Sequence, residues 1–206
     1  VRKDNQDHFL LAALNKRLEV LSTSIADTTG LASVDQRIAF LAMVADGVGG
    51  RQQGEEASRI ALEQATLYLS QSAAKYSQAA AQHDEFIDLL QSTALASHQK
   101  VMDRVAESPA KYEGMATTLT LWFGVWPWFY LLQVGDSRYY LYREETLTQI
   151  TRDQTMAEDL ADRGILKRSE KHRSPLSNIL SRAIGAQQPT SVVPRIADAW
   201  DNGTLI

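Results

Sequence analysis

Three aspartates, Asp7, Asp46 and Asp136, each fall at the end of a strand-like run or beside a glycine. Carboxylates in such places can hold hard cations. Magnesium and manganese take a few carboxylates, and water and phosphate oxygens complete the shell. Two such ions about 3.5–4 Å apart can hold a shared water, lower its pKa and stabilise an in-line displacement at phosphorus. Carboxylates crowded together also need a cation to offset their repulsion. Arg2 stands shortly before Asp7, and a guanidinium grips phosphate oxygens in bidentate fashion where lysine does not. Acids and arginine together outline a phosphate-ester hydrolase. Each acid would serve equally well as an ordinary turn residue, so spacing alone leaves both readings open.

Composition narrows the chemistry. The chain has 206 residues, enough for one sizeable core and short for two domains. It is 44% apolar and 22% charged, as folded soluble proteins are. Its net charge of -4 lacks the basic surplus of a nucleic-acid binder. There is no cysteine, which excludes disulfides, thiolate metal sites and a cysteine nucleophile. A cytoplasmic location is expected on that ground. His8, His83, His98 and His172 are scattered without zinc-ligand spacing. Any metal site must therefore be oxygen-rich, which favours magnesium or manganese. No leader pattern is visible. The most apolar stretch, Leu119 to Leu132, is too short for a membrane span and is broken by Pro127. It reads as a hairpin of two buried strands.

The elements that must position the acids follow from pattern. Ile38 to Ala45 is an apolar run suited to a buried strand. Asp46-Gly47-Val48-Gly49-Gly50 follows as an acidic turn and glycine loop, after which a helix begins. Upstream, Arg2 to Asp7 is polar, Leu10 to Leu21 fits a helix or a strand, and Ser22 to Asp35 reads as a loop. Gly54 to Glu107 predicts two long helices with a break within Ser72 to Gln82. Met115 to Gly124 and Trp128 to Val134 predict strands joined at Trp126-Pro127, and their aromatics favour a core or sheet face over a ligand groove. Tyr139 to Arg143 and Leu147 to Thr151 predict strands about a turn at Glu144-Glu145. A helix is expected from Thr155 to Arg163, capped by Thr155 and ended by Gly164. Asn178 to Gly185 reads as a short helical piece. The tail from Ala186 shows no clear strand before its last three residues. The short links between strands require a largely antiparallel sheet.

Several of these stretches resemble, in order, motifs of the metal-dependent protein serine/threonine phosphatases of the type 2C family. Arg2 to Asp7 is similar to the first motif, and Asp46 to Gly50 with Gly54, Glu55, Ala57 and Ser58 to the Asp-Gly-x-Gly-Gly motif and its helix. Gly114 with Thr117-Thr118, then Gly135-Asp136-Ser137-Arg138, Leu147 to Asp153 and Asn178 to Gly185 continue the series. The resemblance implies an α+β fold in one domain over residues 1–206. Two antiparallel sheets would form a β-sandwich flanked by pairs of long helices, in four layers α-β-β-α. It implies a centre of two Mg2+ or Mn2+ ions, with a third bound more weakly. Asp46 would bridge both ions, the Gly47 carbonyl would ligate one, Asp7 would act directly or through water, and Asp136 would serve the third. Arg2 would hold the substrate phosphate. A hydroxide bridging the ions would attack phosphorus with no phosphoenzyme. Phosphoserine and phosphothreonine in proteins would be the substrates, a serine/threonine kinase or its targets among them.

Two departures bear on this. The family's late Ser-Asp-Gly motif, whose aspartate binds metal, is not found. Asp201-Asn202-Gly203-Thr204 resembles the last motif, which would make Asp201 a ligand, but few residues separate it from Gly185. The domain is thus expected to be incomplete near its C-terminal part. The alternative function is a catalytically impaired phosphatase-like domain acting as a regulatory or phosphoprotein-binding module. Val48 stands where some animal members carry histidine, and Gln154 replaces a frequent histidine.

Overall fold

The computed structural model describes residues 5–14, 18–26, 39–49, 51–76, 83–125, 128–186 and 195–198. The chain begins with strands β1 (Asp7–Leu14), β2 (Leu18–Thr23) and β3 (Ala39–Val48). Helices α1 (Arg51–Tyr76), α2 (His83–Glu107) and the single turn α3 (Pro109–Tyr112) follow. Next come β4 (Ala116–Thr117), β5 (Leu119–Val125), β6 (Trp128–Val134), β7 (Tyr140–Arg143) and β8 (Thr146–Gln149). Helix α4 (Met156–Asp162) and strand β9 (Arg195–Asp198) complete the described elements. The fold is mixed α/β, with two antiparallel sheets and flanking helices. The larger sheet has the order β2-β1-β3-β5-β6-β9, with β4 added against β3, and β7-β8 form the second.

Alternation along the strands decides which face meets the helices. Leu10, Ala12 and Leu14 of β1, Leu41, Met43 and Ala45 of β3, and Leu119, Leu121 and Phe123 of β5 are buried. Their neighbours Phe9, Leu11, Phe40 and Val44 point to the other face and are exposed. Helix α1 buries Ala57, Ala61 and Ala65 at intervals of one turn, flanked by Leu62 and Leu69. Helix α2 supplies Phe86, Leu89, Leu90, Ala94 and Val101. Small alanines let the two helices approach closely, and the Ser97 hydroxyl of α2 reaches the Ala61 carbonyl of α1 at 3.1 Å. Each fully buried leucine or methionine in this layer contributes about 1.5–3 kcal/mol of burial free energy. The two long helices and the hairpin of β5 and β6 occur where periodicity predicts them.

Four local expectations are settled or corrected. The stretch Leu10 to Leu21, open between helix and strand, gives strands at its two ends: β1 and β2 pair antiparallel, with Leu14 opposite Leu18. Asp46-Gly47 is not a turn. β3 continues through it to Val48, because β4 arrives alongside and pairs Gly47 with Thr117. Asn178 to Gly185 is not helical. A 3-10 turn ends at Asn178, and isolated bridges then hold Leu180 to Thr155 and Ile184 to Thr117. The tail does contain a strand, since β9 takes the free edge of β6. The Trp126-Pro127 turn lies outside the described residues. No described helix is long and apolar enough to cross a membrane.

Candidate active site

Asp7 opens β1 and Asp46 lies near the end of β3. The strands run antiparallel with Asp7 directly opposite Asp46, so both carboxylates leave the same face of the sheet. Asp7 is exposed and Asp46 half-buried. Both line an open cleft of about 680 Å³ together with Thr120, Ser137, Arg138 and Tyr139.

The backbone around this pair is held from several sides. The Asn5 side chain brackets Asp7: its Oδ1 accepts the Asp7 N–H at 3.1 Å, and its Nδ2 donates to the Asp7 carbonyl at 3.2 Å. The buried Gln6 accepts at its carbonyl from Gly47 N–H at 3.3 Å and from the Ser58 hydroxyl at 2.7 Å. The first motif is thereby tied to β3 and to α1 at once. Asp46 N–H donates to Thr118 Oγ1 at 2.9 Å. The Asp46 carbonyl accepts from Thr118 N–H and from Thr117 Oγ1, each at 2.9 Å.

Glycine is required where α1 crosses β3. A Cβ on Gly47 would lie 2.2 Å from the Gly54 carbonyl oxygen, and one on Gly54 would lie 2.9 Å from the Gly47 carbonyl carbon. Two backbones touch there, and no side chain fits between them. On the far side of the sheet from the acids, His8 Nδ1 meets Ser58 Oγ at 2.9 Å. The Ser58 proton is directed to the Gln6 carbonyl, so Nδ1 carries the proton between them. Burial pushes the His8 pKa down.

Asp136 sits in the turn after β6. Gly135 takes φ +105°, and a Cβ there would lie 2.6 Å from Thr118 Cγ2. The Gln154 side chain clasps this turn, accepting from Gly135 N–H at 2.9 Å and donating to the Gln133 carbonyl at 3.1 Å. Gln133 Nε2 in turn donates to the carbonyls of Gly135 and Ser137, each at 3.2 Å. Ser137 Oγ then meets Thr118 Oγ1 at 2.8 Å, one hydrogen bond from Asp46. Burial raises the Asp136 pKa and repulsion from Asp153 adds to it, against the pull of its own N–H and of Arg138. Arg138 itself is committed to Asp153 in a two-point contact, at 2.8 and 2.6 Å. That hydrogen bonding holds Asp153 below the usual carboxylate range.

Of the residues singled out by sequence, the structure brings Asp7, Asp46 and Gly47 together. Asp136 lies beyond Thr118 and Ser137, in the field of Asp153 and Arg138. Among the described residues no three acid or histidine side chains gather into an ion-sized group. Arg2 and Asp201 lie outside the described residues. The residues that sequence reasoning left without a role are Asn5, Thr117, Thr118, Ser137 and Gln154. Their signal in the sequence was membership of the stretches that resemble family motifs, with Gln154 standing where a histidine is frequent, and none of these gave the residues a role.

A family model described as Protein phosphatase 2C matches residues 22–162. The chain belongs to the protein phosphatase 2C family. Serine/threonine protein phosphatase PstP of Mycobacterium tuberculosis is 32% identical over 168 residues, covering 81% of this chain and 31% of that protein. Serine/threonine phosphatase stp of Listeria innocua is 29% identical over 166 residues, covering 81% of this chain and 64% of that protein. The chain thus spans about a third of the one and less than two thirds of the other. The catalytic domain of PstP, solved in complex with two manganese ions, shares the fold with a TM-score of 0.63 at 26% identity. That match covers 96% of this chain and 68% of the PstP chain.

Proposed function

We propose that this chain hydrolyses phosphoserine and phosphothreonine in proteins, using Mg2+ or Mn2+ held at Asp7 and Asp46. The observation that carries the reading is the register that sets these two acids opposite each other in the cleft. Like charges directly across a strand pair are destabilising, and a divalent cation offsets them. The donors are all oxygens, the set these ions take. The Gly47 carbonyl is the further donor on β3, and Asp136 serves a third, weaker ion. Arg2 would grip the substrate phosphate and Asp201 would be a further ligand, as the family resemblance implies.

The bound ions would supply charge neutralisation at phosphorus and a water acidic enough to react near neutral pH. The chain's own contribution is preorganisation. Thr117 and Thr118 fix the Asp46 backbone on both sides, and Asn5 fixes that of Asp7. The carboxylates are then aimed before the substrate arrives, which removes reorganisation from the reactive step. A signalling role opposite a serine/threonine kinase and a cytoplasmic setting fit the family and the cysteine-free chain.

The test is Asp46→Asn. Calorimetric titration should show Mn2+ affinity falling by at least about tenfold, as for loss of one charged ligand, and turnover of a phosphothreonine peptide should vanish. Full manganese-dependent turnover by the variant would remove Asp46 from the site. Metal binding without turnover in the unaltered chain would favour the alternative, a regulatory or phosphoprotein-binding module.

A further inference from the structure

Counting protons along the hydroxyls beside Asp46 leads to a residue with no role so far. Thr118 Oγ1 accepts from Asp46 N–H and is bonded to Ser137 Oγ. Thr118 is buried, at 1% exposure. A buried hydroxyl proton is normally satisfied. Among the described residues, Ser137 Oγ is the acceptor within reach of Thr118 Oγ1 in a hydroxyl-hydroxyl contact, so Thr118 donates to Ser137. The Ser137 proton is then left over. Ser137 is half-buried and lines the cleft that Asp7 and Asp46 share.

Two neighbouring donors point elsewhere, the Thr120 hydroxyl and three of the five N–H groups of Arg138. The Thr120 hydroxyl donates to the Ser137 carbonyl at 3.0 Å. Arg138 gives Nε and one terminal nitrogen to Asp153, and its other terminal nitrogen to Tyr140 Oη at 3.3 Å. The Ser137 backbone is meanwhile rigid. Thr120 and Gln133 hold its carbonyl, and the turn before it admits no Cβ at Gly135.

We infer that the Ser137 hydroxyl is a phosphate-contacting donor, presenting its proton to a phosphoryl oxygen of a ligand seated beside Asp7 and Asp46. The assignment rests on the phosphatase reading for its substrate, but its ligand chemistry is only that of a phosphate group. A donor in place before binding adds a charge-assisted hydrogen bond without ordering cost.

The test uses the full chain loaded with Mn2+ and inorganic phosphate as probe, with binding read by calorimetry. Ser137→Ala should weaken phosphate binding about tenfold, the size expected for one hydrogen bond to a charged group. It should raise KM for a phosphothreonine peptide more than it lowers kcat. Mn2+ affinity should stay unchanged, and Ser137→Thr, which keeps the hydroxyl, should restore phosphate binding. Phosphate binding by Ser137→Ala equal to the unaltered chain overturns the assignment. So does a parallel loss of Mn2+ affinity, which would make Ser137 a support for Asp46 through Thr118. Absence of phosphate binding by the unaltered chain overturns it as well. Serine-dependent phosphate binding without any turnover would leave Ser137 assigned and remove only the phosphatase reading.

Discussion

At Asp46 the backbone N–H and carbonyl are each taken by a threonine, which fixes where the carboxylate leaves the strand. The acid itself was visible in sequence, because an apolar run ending in acid and glycines is unusual enough to single out. Its support was not, since a threonine hydroxyl from a distant strand leaves no trace in local pattern. The same holds for Gly47. Sequence suggested conformational freedom, whereas the structure shows contact: α1 crosses so closely that a methyl group would meet backbone. Gly47→Ala should therefore destabilise the fold by about 3 kcal/mol or more, in the manner of forced overpacking. Urea unfolding would read this directly, and a loss within the noise of a surface substitution would mean that α1 and β3 do not touch there.

Helix α4 shows both what local signals predict and where they stop. Thr155 caps it by accepting from Glu158 N–H at 3.3 Å, and Gly164 follows with φ +70°, as the sequence signals require. The Glu158 side chain does not turn back to the cap. It is almost buried and receives Lys171 at 2.7 Å and Arg152 at 3.2 Å. Burial pushes its pKa up, and these two hydrogen bonds outweigh that, so it titrates below the usual glutamate range. The charge-rich segment Lys167 to Arg173 thus sends one lysine inward. The stretch Asn178 to Gly185 misled for a similar reason. Its periodicity suits a helix, but isolated bridges tie Leu180 to Thr155 and Ile184 to Thr117, and such long-range pairing is invisible locally. Glu158→Gln should lower stability by about 2–3 kcal/mol, because two cations lose a nearly buried partner. Thermal unfolding checks this, and a change near zero would place the ion pairs effectively in solvent.

Across the molecule, helices cover one face of the large sheet, while Phe9, Leu11, Phe40 and Val44 stand exposed on the other. The helix-backed layer was legible because alternation and helical spacing are strong in it. The sheet order was not, since β9 pairs with β6 across a wide gap in sequence. Two histidines give the whole fold a pH response. His98 Nδ1 accepts from Gly185 N–H at 3.1 Å, which requires a neutral ring, and burial lowers its pKa. His8 is lowered by burial as well. A histidine whose folded value is depressed stabilises the fold above its ordinary value of 6.5, and that stability is lost as pH falls through the folded value. The urea midpoint should therefore drop as pH falls from about 7 to about 5, and His98→Gln should flatten the drop. A midpoint constant over that range would show that neither imidazole is buried neutral.

The central claim is that opposed Asp7 and Asp46 hold ions that hydrolyse a phosphate ester. Phosphate release from a phosphothreonine peptide by the 206-residue chain, measured with manganese, with magnesium and with chelator, tests it most directly. The account predicts release with manganese or magnesium and none with chelator. Silence under all three conditions, from a folded sample that binds Mn2+, would contradict it.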